Sequence, residues 1–232
     1  METEEKNILY LHGFVSSAQS VKARYFRERF KALRVKFHAV DFNPTPRDFE
    51  YMTTTGLINR LRQYVLDHHL GNISVIGSSY GGLIALHYAH RFGGVEKMLL
   101  LAPGLTWLSG GLSAQALERW EKAGAAPVFH AAFGREVLVR YDLQMDGLRY
   151  LDPVPPAAPV IIIHGRDDTT VPIGPSRAYA TDFPASVRLV EVSADHDLNG
   201  HLELIWGYVR SFLLDAERLT TAPGCAGTPD PP

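Results

Sequence analysis

A serine flanked by glycines is the feature of this sequence best suited to chemistry. The pentapeptide at 77–81, Gly-Ser-Ser-Tyr-Gly, follows an apolar run at 73–76 and precedes a helix-like segment at 83–89. A strand that turns sharply into a helix raises the serine side chain above the edge of a sheet, and the strained turn leaves no room for a Cβ two residues before or after it. Only Ser79 has glycines at both of those positions. Ser79 is therefore predicted to be a nucleophile.

Two other kinds of site use a glycine-rich turn of this type. A phosphate-binding loop continues into Gly-Lys-Ser or Gly-Lys-Thr, and a dinucleotide-binding turn reads Gly-x-Gly-x-x-Gly. Neither pattern occurs here. An ordinary strand-to-helix turn remains open on this motif alone, so the partners of the serine must decide.

A serine hydroxyl needs a base to remove its proton, and the base needs a carboxylate to orient it. The strand-like run at 160–163 is followed by His-Gly-Arg-Asp-Asp, and the run at 187–192 is followed by a loop that contains His196. Taken singly, Asp167 or Asp168 could be a turn or helix-capping residue, and His196 could be a surface histidine. The order Ser, Asp, His at three strand ends favours a catalytic triad.

Acyl transfer also requires N–H donors directed at the oxyanion. The residue after the nucleophile supplies one donor, which predicts the backbone N–H of Tyr80. The turn after the first strand, His12-Gly13-Phe14, supplies the other, which predicts the N–H of Phe14. His12 itself could be a structural residue of that turn.

The elements that must position these residues alternate along the chain. Apolar runs predict strands at 7–11, 35–39, 73–76, 97–102, 160–163 and 187–192, and helical periodicity predicts helices at 20–33, 57–66, 83–92, 176–183 and 201–214. Such alternation predicts an α/β fold with a mostly parallel sheet and helices on both faces.

The alternation lapses at 104–158, where apolar side chains fall in short segments broken by glycines. A segment of this length predicts a helical cap over the site, with a peripheral helical pair as the alternative. Trp107 and Trp120 are its predicted substrate-pocket residues. The expected organisation is a core at 1–103, the cap at 104–158, the rest of the core at 159–218 and a disordered tail at 219–232.

Composition excludes several classes of partner. The chain of 232 residues has a formal net charge of −2 and no basic run, which argues against nucleic acid. It has no apolar run of membrane-spanning length, and its acidic start lacks the pattern of a secretory signal, so no membrane association and a cytoplasmic location are expected. Cys225 is the single cysteine, and the histidines lack metal-ligand spacing, so neither a disulfide, a metal nor a cofactor is expected.

The sequence resembles the α/β-hydrolase superfamily, and within it the small bacterial YqiA/YcfP-type esterases. The resemblance rests on Tyr-Leu-His-Gly-Phe at 10–14 with Ser16-Ser17, Ser20 and Lys22-Ala23 behind it, on the serine turn at 77–82, on His-Gly-x-x-Asp-x-x-Val-Pro at 164–172, and on Asp-His at 195–196. It implies that Ser79 is the nucleophile and His196 the base. It also selects Asp168 as the acid, since the family's acid lies three residues before the Val-Pro pair.

These observations together predict a serine hydrolase, most simply a carboxylesterase that cleaves small-molecule esters of short to medium acyl chains through an acyl-enzyme. An acyl thioesterase would use the same triad and is the first alternative. A ligand-binding protein of the same fold without turnover is the second alternative. A dehalogenase is disfavoured because its chemistry needs a carboxylate at position 79.

Overall fold

A six-stranded parallel sheet is the centre of the computed structural model, which describes residues 6–106 and 112–214. The strands are β1 (Asn7–Leu11), β2 (Lys36–Val40), β3 (Ile73–Ser78), β4 (Val95–Leu101), β7 (Val160–Gly165) and β8 (Val187–Val192). Their order in the sheet is β2-β1-β3-β4-β7-β8, and every neighbouring pair is parallel. The predicted α/β architecture is confirmed.

Helices cover both faces of this sheet because its central strands are apolar on both sides. Ile8 and Tyr10 point to one face, which is covered by α1 (Val21–Ala32) and by α8 (Leu202–Tyr208) with its π-helical continuation (Val209–Leu214). Leu9 and Leu11 point to the other face, which is covered by α3 (Thr54–Asp67), α4 (Tyr80–Phe92) and α7 (Gly174–Asp182).

A short helix that the sequence interpretation missed, α2 (Pro46–Glu50), precedes α3. Thr45 caps it, since the Thr45 hydroxyl accepts from the Asp48 N–H while the Asp48 carboxylate accepts from the Thr45 N–H. Proline at the first helical position and an acidic residue two positions later are helix-start signals. They could have identified α2 from the sequence.

The prediction of a purely helical cap at 104–158 is wrong for the middle of that segment. Two helices, α5 (Ala114–Ala123) and α6 (Asp142–Gly147), enclose an antiparallel hairpin of β5 (Ala125–His130) and β6 (Arg135–Arg140). The physical reason is an alternation with period two: Val137 and Val139 are buried, whereas Leu138 between them is exposed. A turn at 131–134, with Gly134 at a φ of 63°, closes the hairpin.

The other predicted domain boundaries remain predictions. The tail at 219–232 lies outside the described residues, as does part of the cap. None of the helices within 6–106 and 112–214 is both long enough and apolar enough to cross a membrane.

Candidate active site

Ser79 occupies the sharp turn between β3 and α4. Its backbone has φ 53° and ψ −119°, a conformation that costs energy for any residue with a side chain and is typical of functional turns. Three backbone hydrogen bonds hold the turn: the Ser79 N–H donates to the Leu101 carbonyl at 2.8 Å, and the Ser79 carbonyl accepts from the Gly82 and Gly104 N–H groups at 2.9 and 3.0 Å. The strain is therefore offset by a network to β4 and the loop after it.

The two flanking glycines are required by close backbone approaches. A Cβ on Gly77 would lie 2.8 Å from the carbonyl oxygen of Gly81, and a Cβ on Gly81 would lie 2.7 Å from the carbonyl oxygen of His12 and would overlap the backbone of Leu11 as well. Real Cβ atoms do not approach oxygen so closely. The sequence argument that these positions have no room for a side chain is confirmed.

Ser79, His196 and Asp168 form a hydrogen-bonded chain. His196 Nε2 lies 3.0 Å from Ser79 Oγ, and His196 Nδ1 lies 2.7 Å from Asp168 Oδ2. The three residues follow β3, β8 and β7 respectively, so the carboxyl ends of three strands bring them together at one edge of the sheet. Such an arrangement allows the imidazole to take a proton from the serine hydroxyl.

Asp168 is the carboxylate that meets His196, and Asp167 is not. The Asp168 carboxylate is buried, and its Oδ1 accepts the backbone N–H groups of Thr170 and Val171 at 2.9 and 2.7 Å. Asp167 is exposed and accepts a hydrogen bond from the Ser193 hydroxyl at 3.2 Å. Two backbone N–H groups and an imidazole are therefore the hydrogen-bond partners of the buried Asp168 carboxylate.

His164 packs behind this carboxylate as a neutral residue. Its Nε2 lies 2.9 Å from the Val171 carbonyl and 3.3 Å from Asp168 Oδ2, and its Nδ1 lies 2.9 Å from Ser176 Oγ. Burial lowers the pKa of His164, which keeps the ring uncharged. Since a carbonyl only accepts, Nε2 carries the proton and Nδ1 accepts from Ser176. His164 thus supports the acid loop.

The two predicted oxyanion residues both lie next to the Ser79 turn. Tyr80 begins α4, and its ring lies edge-on to that of Phe14 with centroids 6.2 Å apart. Gly13 precedes Phe14 and approaches the serine, since a Cβ built on Gly13 would lie 3.7 Å from Ser79 Oγ. The structure therefore brings both predicted residues to the nucleophile.

His12 has a structural role in this turn. It is buried; its Nε2 accepts the Phe42 N–H at 3.1 Å, so its Nδ1 carries the proton that it donates to the Gly13 carbonyl at 2.8 Å. The Gly13 carbonyl and the Phe14 N–H belong to one planar peptide unit and point in opposite directions. The His12 bond therefore fixes the direction of the Phe14 N–H.

A cavity of about 920 Å³ contains the Ser79 and His196 side chains. One part of its lining is apolar and comes from the turn after β1 and the turn of the hairpin: Phe14, Val15, Ala131, Ala132 and Phe133. Another part is polar: Ser16, Ser17, Gln19, Lys22 and Asn199. A separate cavity of about 360 Å³ between Thr45 and Arg60 contains none of the triad residues.

Trp120, one of the two predicted pocket residues, is not among the residues that line this cavity. Trp120 is only 9% exposed; its indole N–H donates to the Val139 carbonyl at 2.9 Å, and its ring packs edge-on against Tyr141. It is a packing residue under the hairpin, which corrects its assignment to the substrate pocket. Trp107 lies outside the described residues. The residue that the sequence interpretation missed is Phe133, which a hairpin signal at 125–140 would have brought to attention.

The described residues contain no group of three or more His, Cys, Asp or Glu side chains that could hold a metal ion. The titratable groups nearest to Ser79 are instead arranged for proton transfer.

Solved structures with the same fold come from distant organisms. Alpha/beta hydrolase domain-containing protein 10 from mouse has 20% identity and a TM-score of 0.74, with 89% of each chain covered. Est1E from Butyrivibrio proteoclasticus, solved with ferulic acid bound, has 20% identity and a TM-score of 0.74, with 91% of this chain and 90% of that chain covered. The esterase EaEST from Exiguobacterium antarcticum has 14% identity and a TM-score of 0.62, with 91% and 94% covered.

Among curated proteins no significant match was found. The family model described as "Uncharacterised protein family (UPF0227)" matches residues 7–212, which include every strand of the central sheet and all three residues of the hydrogen-bonded chain. At their low identities the solved structures show the fold alone, and that fold is the α/β-hydrolase fold. The chain therefore belongs to the family UPF0227.

Proposed function

We propose that this protein is a serine hydrolase that cleaves carboxylic esters of small molecules. The observation that carries the proposal is the chain Ser79–His196–Asp168, with hydrogen bonds of 3.0 and 2.7 Å. A buried carboxylate, an imidazole and a serine on a strained turn are the parts that acyl transfer needs. EaEST, which shares the fold, is named as an esterase and adds support of a general kind.

In the first half of the reaction His196 Nε2 takes the Ser79 proton as the serine oxygen attacks the ester carbonyl. The N–H groups of Phe14 and Tyr80 stabilise the oxyanion that forms, and Asp168 stabilises the imidazolium. His196 then gives the proton to the departing alcohol, which leaves an acyl-enzyme on Ser79. Each oxyanion donor of this type typically contributes about a hundredfold to a thousandfold in rate.

In the second half, water takes the place of the alcohol. His196 removes a proton from the water, which attacks the acyl carbonyl, and the carboxylic acid leaves as the proton returns to Ser79 Oγ. The apolar part of the cavity lining, which includes Phe133, suits the acyl chain, since on that side Phe14 belongs to the predicted oxyanion turn and Val15 follows it directly.

The test is hydrolysis of p-nitrophenyl esters from acetate to decanoate by the wild type, Ser79→Ala and Ser78→Ala. Ser79→Ala is expected to lower kcat by about a thousandfold or more, because the nucleophile is removed. Ser78→Ala removes the adjacent hydroxyl and is expected to retain most of the rate. Equal turnover by the wild type and Ser79→Ala would contradict the proposal. Rates on matched oxygen and sulfur esters separate esterase from thioesterase activity.

A further inference from the structure

Lys22 links the first helix to the loop that carries the base. It is the second residue of α1, and its Nζ donates to the backbone carbonyl of Asp197 at 2.6 Å, a contact that spans 175 positions of the chain. Asp197 directly follows His196. Lys22 also lines the cavity that contains Ser79. The peptide next to the imidazole is therefore held by a side chain from another element.

The carboxylates on either side of His196 face the same ammonium group. Burial lowers the pKa of Lys22, while the charges of Asp197 and Asp195 oppose that shift by favouring the ammonium form. Lys22 has no carboxylate within ion-pair distance among residues 6–106 and 112–214. Its positive charge thus acts on two neighbouring carboxylates at longer range, and its hydrogen bond goes to the main chain.

The charged and titratable groups around His196 come from several elements. They are Lys22 and Arg24 of α1, Asp41 after β2, His164 at the end of β7, Asp168 of the acid loop, and Asp195 and Asp197 of the loop that contains His196. Asp168 is engaged with the ring itself at 2.7 Å. Arg24 donates to the Gln19 carbonyl, and Asp41 lies 3.5 Å from His12. Lys22 is the cation among them that is bonded to the His196 loop.

We propose that Lys22 is a positioning residue for His196, which fixes the base loop through the Asp197 carbonyl and offsets the charges of Asp195 and Asp197. Its catalytic consequence rests on the proposed function, whereas its effect on the ionisation of His196 does not. Lys22 belongs to the Ser-x-Lys-Ala segment at 20–23, whose serine caps α1 through the Ala23 N–H. The segment thus acquires two roles, one in starting the helix and one in holding the base.

Loss of the Lys22 ammonium has two physical consequences. The loop at 195–197 loses its hydrogen bond to α1 and keeps the bonds of His196 to Asp168 and of the Asp197 N–H to Asp195, and small displacements of a catalytic group are costly in rate. The two uncompensated carboxylates also favour the imidazolium form of His196, which cannot accept the proton of Ser79. The first effect lowers kcat, and the second moves the acid side of the pH profile to higher pH.

The test compares Lys22→Met, Lys22→Arg and Lys31→Met with the wild type. Lys31 is an exposed residue at the other end of α1, so its change is a matched control for loss of one lysine. Lys22→Met is expected to lower kcat by about tenfold to a hundredfold and to shift the acid limb of kcat/KM upward by about half a pH unit. Lys22→Arg, which keeps charge and donor, is expected to restore most of both, and Lys31→Met to change neither.

A second readout does not need turnover. The ring signal of His196 in the NMR spectrum, assigned by its absence in His196→Gln, is followed against pH in each protein. A higher midpoint in Lys22→Met than in the wild type and Lys31→Met supports the proposal, even in a protein that hydrolyses no ester. An unchanged midpoint overturns it, and so does a loss of kcat that only parallels a lower Tm. Absence of Ser79-dependent turnover counts against the proposed function and leaves the NMR result to decide the role of Lys22.

Discussion

The Asp168 carboxylate meets His196 with one oxygen and the main chain with the other. Oδ2 lies 2.7 Å from His196 Nδ1, while Oδ1 accepts the N–H groups of Thr170 and Val171. Because a carboxylate oxygen accepts hydrogen bonds, Nδ1 of His196 is the donor in this contact and carries the proton of the neutral imidazole. The lone pair of Nε2 is then directed at Ser79 Oγ, as a general base requires.

Replacement of Asp168 by asparagine should reduce activity far more than replacement of Asp167. Asp168→Asn removes the charge that stabilises the imidazolium and places an amide where three donors converge, so kcat is expected to fall by roughly a thousandfold to ten-thousandfold. Asp167→Asn changes an exposed side chain that accepts a hydrogen bond from the Ser193 hydroxyl. The kcat of this variant should stay within a few-fold of the wild type. Steady-state rates on one ester decide the matter, and the opposite ranking would mean that Asp167 is the acid.

Gly81→Ala should destabilise the fold as well as the site. The new Cβ would overlap the backbone after β1, and backbone cannot move aside without displacing the oxyanion turn. The free energy of unfolding is expected to fall by about 2 kcal/mol or more, measured by urea denaturation. Gly174→Ala is the control, since a Cβ there meets no atom within 4 Å. Similar midpoints for the two variants would refute the steric explanation of the turn.

Phe133→Ala should change the acyl-chain preference. Phe133 lines the catalytic cavity at the turn of the hairpin, where its ring stacks on His130 with centroids 4.2 Å apart. Removing the ring enlarges the apolar part of the cavity, so the optimum in an ester series is expected to move to longer chains. Phe129→Ala, on the same hairpin but 62% exposed, should keep the wild-type optimum. An unchanged optimum in Phe133→Ala would exclude this ring from acyl-chain binding.

Stability should fall as the pH drops from 7 to 5, with His87 as one identifiable cause. Burial lowers the pKa of His87 to about 4, and its Nε2 has no hydrogen-bond partner among the described residues. The unfolded chain has a histidine pKa near 6.5, so between these values the unfolded state binds more protons and unfolding becomes easier. His87→Phe, which keeps a ring against Tyr150, should remove about 1–2 kcal/mol of the loss between pH 7 and pH 5.

Urea denaturation at the two pH values measures this difference. His69→Asn is the control, because His69 is exposed and has a φ of 50°, which asparagine tolerates. Part of the pH dependence should persist in His87→Phe, since burial also lowers the pKa of other histidines: His38, His130 and His164. An identical loss of stability in His87→Phe and the wild type would show that His87 is not a source of the pH dependence.

The sheet and the triad were predictable because their signals are local. Strands buried on both faces give continuous apolar runs, and the turn around Ser79 needs glycines at fixed positions whatever the rest of the chain does. The order of the acid and base loops followed from the parallel topology. The choice between Asp167 and Asp168 needed the family pattern, and the geometry agrees with that choice.

The cap was less predictable because its structure depends on packing against the core. The strands of the hairpin at 125–140 are short. In addition, β6 packs against α2, and no local sequence pattern predicts this contact. Trp120 is a large apolar residue in the cap, and this favoured a role in the substrate pocket. In the structure its indole N–H donates to the Val139 carbonyl instead. Lys22 is likewise a surface lysine by pattern, and only the fold places it at the base loop.

The position of β8 at one edge of the sheet links the proposed ester hydrolysis to the completion of folding. Ser79 follows the third strand in the chain, whereas His196 follows the last strand of the sheet, whose neighbour within the sheet is β7. During synthesis, a chain that already carries the nucleophile has no base until this final strand docks. Since edge strands separate more easily than central ones, we expect local unfolding of β8 to abolish activity before the rest of the sheet unfolds.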